Sequence, residues 1–377
     1  GIRDRDVTGV QTCALPIFMR MQMGWSEDII DPEWDKRSFV IGKREITHTG
    51  EIIDAPSSPF VKGLARHLVP QGTYARWRES ADYLSKPGFE LHAFAMLAGM
   101  ASPYMPYTST SGVTLCLLGQ SGTAKTGAMY AGLSAWGNPK ELSVFDATDN
   151  GMVGRFLGLH NIPLGVDEIS NKDPKILAQL IHKISHGKAK IRMQGSVNAE
   201  REYEMSASMV GLMTTNQSAY GKLELLKANP DGEAARLIEM FIRRPALLDA
   251  EGGALLGRHI FDAFRVNYGH AGPRIIQAGL KYGDNYIRDR ISYWDAKFIK
   301  DFGEDVTYRF YQNLIGVTGM VGELCIADDI CAMDIESVYH AAVLEMITIR
   351  DKVVKVNRTD YPSVLGDYIN KNLGNIL

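Results

Sequence analysis

The sequence predicts an α/β fold, in which a parallel β-sheet is covered by helices and followed by a mostly helical C-terminal region. The first observation is that apolar runs of strand length, such as "VTLCLL" at 113–118 and "MVGLMTT" at 209–215, are separated by helical segments. Continuous apolar strands are typical of parallel sheets buried on both faces, and their alternation with helices indicates βαβ units. The second observation is that helical segments dominate from about residue 250 through residue 354.

Each element is predicted from its local pattern. Within residues 18–88, "RSFVIGKREITHTGEIIDA" alternates as a short hairpin does, and "FVKGLARHLVPQGTYARWRESADYL" predicts a helix and a second short one. "FELHAFAMLAGMASPYM" predicts an apolar helix that ends at Ser102-Pro103, since the residue before a proline disfavours helical geometry. The predicted core strands are 113–118, 142–145, 162–166, 209–215 and 236–242, and the predicted core helices are 126–136, 150–160 and 173–185.

Composition limits the class of protein only broadly. The chain has 377 residues, a formal net charge of -3 and 45% hydrophobic residues, which is ordinary for a chain with a sizeable core. Its four cysteines form no C-x-x-C motif and are too few for a disulfide framework, so we expect a reducing, cytoplasmic setting. No stretch reaches the ~18 apolar residues of a membrane span, so no membrane association is expected.

The first residues look foreign to the rest. "VTGVQTCALPI" and the preceding "GIRD" resemble the in-frame translation of a sequencing adapter, so we exclude residues 1–17 from fold prediction and expect protein sequence from about Phe18. The final "DYINKNLGNIL" suggests truncation as well. The expected organisation is an adapter artefact at 1–17, a mixed region at 18–88, an α/β core at 89–248 and a truncated helical region at 249–377.

The central motif is "LLGQSGTAKTGAMY", which lies between a predicted buried strand and a helix. It fits the pattern G-x-x-x-x-G-K-[ST] except that Ala124 stands where glycine is expected. In such loops the backbone N–H groups wrap phosphate, the lysine reaches the β- and γ-phosphates, and the hydroxyl holds Mg²⁺. The predicted ATP-binding residues are Gly119, Gln120, Ser121, Gly122, Thr123, Ala124, Lys125 and Thr126.

Polar residues follow two further predicted strands. "IPLGVDEIS" places Asp167 and Glu168 after an apolar strand, where an acidic residue can hold Mg²⁺ and an adjacent glutamate can polarise the attacking water. "MVGLMTTNQS" places Asn216 at the end of another strand, between the expected carboxylates and the γ-phosphate. We therefore predict Thr126 and Asp167 as metal ligands and Lys125, Glu168 and Asn216 as catalytic residues, although an asparagine there can also simply start a turn.

An arginine near the last predicted strand is a candidate for acting between subunits. Arg236 precedes "LIEMFI", a position from which an arginine finger can reach the γ-phosphate in a neighbouring subunit. Arg243 and Arg244 are rival candidates, and a surface salt bridge is the alternative explanation for all three.

A basic segment separates the acidic pair from Asn216. In "HGKAKIRMQGSVNAER" the alternation of Lys188, Lys190 and Arg192 places them on one side of a predicted hairpin strand. Such a hairpin could contact a phosphate backbone in the pore of a ring, so these three residues are candidate DNA contacts. A solvated strand face is the alternative.

Taken together, these stretches resemble the domain of unknown function 927 family, the helicase-like ATPase module of phage, plasmid and mobile-element primase–helicase proteins. The resemblance is carried by "LLGQSGTAKT", "WGNP", "ATDNG", "LHNIPLGVDEIS", "GKAKIRM", "ARLIEM", "NYGHAGP" and "RFYQNLIGVTGMVGELC", in family order over about residues 85–335. It implies a RecA/AAA+-like P-loop ATPase core that acts on DNA in replication of a mobile element. It also implies ATP contacts at Gly119, Gly122, Lys125 and Thr126, and the acidic pair at Asp167 and Glu168.

The expected function is that of an ATP-hydrolysing, Mg²⁺-dependent DNA helicase-like motor. The expected partners are DNA, in single-stranded form, further copies of the chain in a homo-oligomeric ring, and a primase domain or protein. Two alternatives remain open: an ATP-binding loader or scaffold for replication proteins without unwinding, and an ATPase that remodels protein. The basic hairpin favours DNA over protein only mildly.

Overall fold

The computed structural model describes residues 20–26, 37–144, 149–188, 193–194, 199–200, 205–224, 232 and 235–357. Residues 1–17, in which we recognise adapter sequence, and the final segment from residue 358, in which we expect truncation, lie outside the described residues. So do Lys190 and Arg192 of the basic segment.

The N-terminal region is a small antiparallel sheet followed by two helices. The segment in which a hairpin is predicted forms three strands, because a second turn at Thr47–Gly50 returns the chain once more, with the Gly50 amide donating to the Thr47 carbonyl. The elements are β1 (Gly24–Trp25), β2 (Phe39–Ile41), β3 (Arg44–Ile46), β4 (Ile52–Asp54), α1 (Lys62–Ala65) and α2 (Tyr74–Tyr83).

The core is an α/β unit built on a five-stranded sheet, in agreement with the predicted class. Its elements are α3 (Glu90–Ala101), β5 (Gly112–Leu118), α4 (Lys125–Ser134), α5 (Pro139–Leu142), β6 (Ser143–Val144), α6 (Asp149–Leu159), β7 (Leu164–Val166), α7 (Pro174–His186), β8 (Met193–Gln194), β9 (Ala199–Glu200), β10 (Met209–Thr215), α8 (Ala219–Glu224) and β11 (Leu237–Phe241).

The strand order places the chemistry-bearing strand ends side by side. The sheet runs β11-β5-β10-β7-β6, and every pairing is parallel. Strand β10 therefore lies between β5, which leads into the P-loop, and β7, which leads into the acidic pair. Because parallel strands end at the same edge, the P-loop, Asp167-Glu168 and Asn216 share one edge of the sheet.

Helices cover both faces of this sheet. Since successive residues of a strand point to opposite faces, neighbouring positions of β10 identify the two layers. A Cβ atom at Gly211 would lie 2.7 Å from Ile184 of α7, whereas a Cβ atom at Gly132 of α4 would lie 3.2 Å from Leu212. Helix α7 therefore covers one face, and α4 covers the other together with α3, which packs on α4 and β10.

The C-terminal region is helical, as predicted, and packs on the edge strand β11. The Tyr311 hydroxyl donates to the carbonyl of Leu237 at 3.3 Å, and Glu345 accepts a 3.3 Å hydrogen bond from the amide of Phe241. Tyr311 also shares a buried hydroxyl–hydroxyl hydrogen bond of 2.6 Å with Tyr220 of α8. At Gly283 a φ of 82° interrupts the longest helix. The helices are α9 (Gly253–Val266), α10 (Ala271–Phe302), α11 (Arg309–Ala327) and α12 (Ile335–Asn357).

Within the described residues, none of the helices combines the length and apolar character needed to cross a membrane.

Candidate nucleotide-binding site

The P-loop turns sharply between β5 and α4. Gly119 is required at the start, because a Cβ atom there would lie 2.6 Å from the carbonyl oxygen of Ile242 on the neighbouring strand's extension. The loop then passes through positive φ at Gly122 (85°) and at Ala124 (65°) before α4 begins at Lys125. The position where the motif expects glycine thus adopts the left-handed geometry that glycine favours, with alanine in its place.

Lys125 lies inside the loop and is almost fully buried, with 7% of its surface exposed. Its Nζ donates to the carbonyl oxygens of Gly119 and Gln120, both at 2.8 Å, and to Oδ1 of Asn216 at 3.0 Å. Burial lowers the pKa of Lys125, while the nearby carboxylates of Glu168 and Asp167 oppose that shift. The ammonium group is therefore positioned between the loop and the ends of β7 and β10.

Thr126 and Asp167 meet in the pair predicted to bind metal. The Thr126 hydroxyl donates to Oδ1 of Asp167 at 3.1 Å, and the Thr214 hydroxyl donates to the same oxygen at 2.6 Å. No group of three or more His, Cys, Asp or Glu side chains within the described residues is arranged to hold a metal ion. Because Mg²⁺ in phosphate sites is held by one or two carboxylates together with the substrate's own oxygens, a hydroxyl beside a single carboxylate fits that ion.

Glu168 follows in a strained backbone conformation, with φ 53° and ψ 76°. Its amide donates to the Thr214 hydroxyl at 2.9 Å, and its Oε1 accepts from the amide of Ser170 at 3.1 Å. Its Oε2 accepts from Nδ2 of Asn216 at 2.7 Å. Left-handed geometry in a non-glycine residue is costly, and such residues concentrate at functional sites.

Asn216 connects the lysine to the glutamate. Its Oδ1 accepts from Lys125 and its Nδ2 donates to Glu168, an orientation fixed because ammonium groups only donate and carboxylates only accept. Its own amide donates to the Ser170 hydroxyl at 2.9 Å. The side chains at the ends of β5, β7 and β10 thus form one hydrogen-bonded group.

These residues surround a pocket of about 340 Å³. The P-loop forms one side, Glu168 and Asn216 form another, and α9 closes the remainder with Phe261 and Arg265. Arg265 pairs with Asp262 at 3.2 Å and lies 5.5 Å from the ring centroid of Tyr130 on α4. An exposed cation thus lies at the rim of a pocket that already contains a buried one.

The three candidate arginines lie in different places. The Arg236 carbonyl accepts from the amide of Thr114, near the start of β5, so Arg236 lies at the sheet edge opposite the pocket of its own chain. Arg243 pairs with Glu345 at 3.3 Å. Arg244 contacts the P-loop of the same chain, where its Nη1 donates to the Gly122 carbonyl at 2.6 Å.

The basic segment is described only in part. Lys188 is exposed and forms an antiparallel bridge with Ser206, and β8 pairs antiparallel with β9 between them, so the described portions have hairpin pairing. This hairpin belongs to the connection between α7 and β10, and Lys190 and Arg192 of the same segment are not described.

Sequence reasoning missed Thr214 and Ser170, which bond to the acidic pair and Asn216, and it missed His92, Phe261 and Arg265, which reach the site from other helices. Phe261 packs on the first turn of α4, where a Cβ atom at Gly127 would lie 2.5 Å from its ring. His92 bonds to the P-loop from α3. His92, Phe261 and Arg265 come from helices that are distant from the loop in sequence, and no local motif identifies them. Only the folded structure shows that they lie near the loop.

The parallel strand order and the loop geometry define the class: this is a RecA/AAA+-like P-loop fold with a helical C-terminal region. The family model "Domain of unknown function (DUF927)" matches residues 18–202, just under half of the chain. The resemblance to this family that the sequence motifs indicate is therefore confirmed over these residues.

Among solved structures, the chain is similar to one titled "SCCmec type IV Cch - active helicase", with a TM-score of 0.66 and 17% identity. The alignment covers 96% of this chain and 66% of that one, so the chain spans somewhat less than two thirds of its length. At this identity the likeness shows a shared fold. No match is found among curated proteins.

Proposed function

We propose that this protein is an Mg²⁺-dependent ATPase that drives a DNA helicase-like motor in replication of a phage, plasmid or other mobile element. One observation carries the ATPase proposal: Lys125, Glu168 and Asn216 come from the ends of three adjacent strands and converge on one pocket. A lysine, a metal-binding hydroxyl–carboxylate pair and a glutamate base are the groups that phosphoryl transfer to water requires.

In the proposed mechanism Lys125 binds the β- and γ-phosphates from within the loop. The Thr126 hydroxyl and the Asp167 carboxylate would hold Mg²⁺, which would neutralise charge on the phosphates. Glu168 accepts the proton of the attacking water, and its two-sided restraint by Ser170 and Asn216 orients the carboxylate. The Asn216 amide orients the water and contacts the γ-phosphate.

The same contacts suggest how ATP binding would rearrange the site. Lys125 and Glu168 both form hydrogen bonds with the side chain of Asn216. A γ-phosphate would compete with Asn216 Oδ1 for the Lys125 ammonium, because a phosphate oxygen is the more highly charged acceptor. Losing that bond would free the Asn216 side chain to shift, together with the carboxylate that it holds.

The DNA part of the proposal is supported by two lines. The fold is shared with a structure titled as an active helicase. The sequence motifs resemble those of primase–helicase proteins. Lys188, Lys190 and Arg192 are the proposed contacts to single-stranded DNA in the pore of a homo-oligomeric ring, and a primase domain or protein is a proposed partner.

The test measures ATP hydrolysis with and without single-stranded DNA. Lys125→Ala is expected to abolish nucleotide binding, whereas Glu168→Gln is expected to bind ATP normally and lose at least about 100-fold in turnover, since the amide cannot accept the proton. Lys140→Ala and Glu251→Gln, at exposed positions, are matched controls and should behave as wild type.

The outcomes separate the candidate functions. Stimulation of hydrolysis by DNA supports the motor. ATP binding without hydrolysis would instead indicate a loader or scaffold, and stimulation by protein rather than DNA would indicate a remodelling ATPase. Normal turnover by Glu168→Gln would remove Glu168 from the role of base.

A further inference from the structure

His92 is a buried histidine that bonds directly to the P-loop. It belongs to α3, well before the motif in sequence, and only 1% of its surface is exposed. Its Nε2 lies 2.9 Å from the carbonyl oxygen of Thr123. Because a carbonyl oxygen only accepts, the proton of the ring must be on Nε2. The ring is neutral, and burial lowers its pKa to about 4.

The surroundings of His92 fix its ring in place. Phe89 contacts it edge-on at a centroid distance of 5.6 Å, and Phe261 lies 5.9 Å away. Phe261 also packs against Gly127 and lines the pocket. The imidazole is thus a rigid donor located between α3, α9 and the first turn of α4.

This bond sets the direction of one P-loop peptide. In a trans peptide the C=O and the following N–H point in opposite directions. When the Thr123 carbonyl points to His92 in the interior, the Ala124 N–H points the other way, toward the pocket that Ala124 lines. A backbone N–H that faces a phosphate site is one of the donors from which such sites are built.

Arg244 holds the preceding carbonyl. Its Nη1 donates to Gly122 at 2.6 Å, while Nε donates to Asp249 and Nη2 to the Leu248 carbonyl, both at 2.6 Å. All three nitrogens of the guanidinium are therefore engaged, and its plane is fixed. Gly122 and Ala124 are the two positions of the loop with positive φ, so His92 and Arg244 bind carbonyls in the most sharply turned part of the loop.

We propose that His92 and Arg244 are positioning residues of the phosphate site, which hold the Thr123 and Gly122 carbonyls away from the pocket so that the loop is shaped for a nucleoside di- or triphosphate before it binds. Neither residue touches the nucleotide in this account. The inference rests on the proposed nucleotide binding. A loop that is shaped in advance binds more tightly because less ordering is left to the binding step.

The test compares two substitutions of His92 by their affinity for ADP, ATP and AMP. His92→Phe keeps an aromatic ring between Phe89 and Phe261 but removes the donor, and we expect about a tenfold weaker affinity for ADP and for ATP, the scale of one hydrogen bond. His92→Gln places an amide donor near the position of Nε2 and should recover most of that affinity. AMP, which lacks the phosphates that reach the loop, should show little change with either variant.

Thermal unfolding measured in parallel separates positioning from general stability. The proposal is overturned if folded His92→Phe binds ADP as wild type does, or if His92→Gln loses as much affinity as His92→Phe. Failure of the wild type to bind ADP would instead refute nucleotide binding itself, and normal binding by Lys125→Ala would refute the role of this loop in it. Wild-type binding that Lys125→Ala abolishes and His92→Phe leaves unchanged refutes only the present inference.

Arg244 provides an arm that does not depend on replacing a buried residue. Arg244→Gln is expected to weaken ADP binding about fivefold, since one outside donor to the loop is lost. The matched control is Arg243→Gln, which alters the neighbouring arginine and its pair with Glu345 but no contact to the loop. Equal affinity of the two variants for ADP would overturn the role of Arg244. If folded His92→Phe also binds ADP as the wild type does, neither residue positions the loop.

Discussion

Ala124 is where the P-loop carries a cost that glycine would not. Its φ of 65° and ψ of 26° lie in the left-handed region, where a Cβ atom costs about 1–2 kcal/mol. Glycine removes that strain, but it also gives the unfolded chain more freedom, which offsets about 0.4–1 kcal/mol. The balance should still favour glycine at this position.

We therefore predict that Ala124→Gly raises the free energy of unfolding by about 0.5–1 kcal/mol, as measured by denaturant titration. The matched control is Ala128→Gly, which lies three residues into α4 at a buried position and should lower the free energy of unfolding by about 1 kcal/mol. Destabilisation of similar size by both substitutions would show that Ala124 is not strained.

The residues show which parts of the site a sequence can reveal. Lys125, Thr126, Asp167 and Asn216 could be predicted because each stands at a fixed offset from an apolar strand, and a parallel sheet gathers strand ends at one edge. His92 could not, because its helix is apolar on every side and a histidine there resembles core packing. Arg244 was noticed as a cation, but its direction depends on Asp249 and Leu248, which no motif specifies.

At the scale of elements, the buried strands were the most predictable features. Strand β10 has the predicted bounds, since a seven-residue apolar run enclosed by helices on both faces has no other stable placement. The N-terminal segment was predicted less well, because its alternating pattern continues through the turn at Thr47–Gly50 and does not separate two strands from three. The kink in α10 lies at the single residue Gly283, and the helical periodicity of the surrounding sequence gives no sign of it.

The pairing of α10 with α11 contains a carboxyl group in an unfavourable place. Asp295 packs against Gly316 of α11, and its Oδ1 is buried with no hydrogen-bond partner among the described residues. Burial raises the pKa of Asp295 to about 6, and a hydrogen bond from Gln312 only partly opposes this. At neutral pH the folded protein therefore holds a charge that its surroundings disfavour.

The sign of the resulting pH dependence follows from the two states. Between about pH 4 and pH 6 the folded state binds more protons at Asp295 than the unfolded state, whose carboxyl has a pKa near 3.9, so this group's contribution to stability is lost as pH rises through that window. We predict that Asp295→Asn raises the free energy of unfolding at pH 7.5 by on the order of 2 kcal/mol. It should also remove the part of the pH dependence of stability that Asp295 causes between pH 4 and pH 6.

Denaturant titrations at several pH values test the Asp295 prediction. Asp289→Asn is the matched control, because Asp289 is exposed on the same helix and should leave both the stability and its pH dependence unchanged. The prediction fails if Asp295→Asn is destabilising at pH 7.5 and retains the wild-type slope between pH 4 and pH 6.

At the scale of the whole molecule, the pocket and Arg236 lie at opposite edges of the sheet. The pocket opens where β5, β7 and β10 end, whereas Arg236 precedes β11 and pairs near the start of β5. In a ring of identical subunits joined head to tail, opposite surfaces of neighbouring copies meet, so Arg236 of one copy can approach the pocket of the next. Arg265, by contrast, lines the pocket of its own chain.

Mixing of variants distinguishes an arginine that acts between subunits from one that acts within a subunit. Lys125→Ala, Arg236→Ala and Arg265→Ala should each lose ATP hydrolysis when pure. The first mixture combines Lys125→Ala with Arg236→Ala. In an equal mixture, about a quarter of randomly formed interfaces pair an intact pocket with an intact Arg236, so hydrolysis should partly return. A mixture of Lys125→Ala with Arg265→Ala should remain inactive, because both defects lie in the pocket itself and no interface escapes them.

Recovery in the first mixture but not in the second assigns Arg236 to the reaction in the neighbouring subunit. If neither mixture recovers although the subunits exchange, Arg236 does not act across an interface. If both mixtures recover, Arg265 does not act within its own pocket.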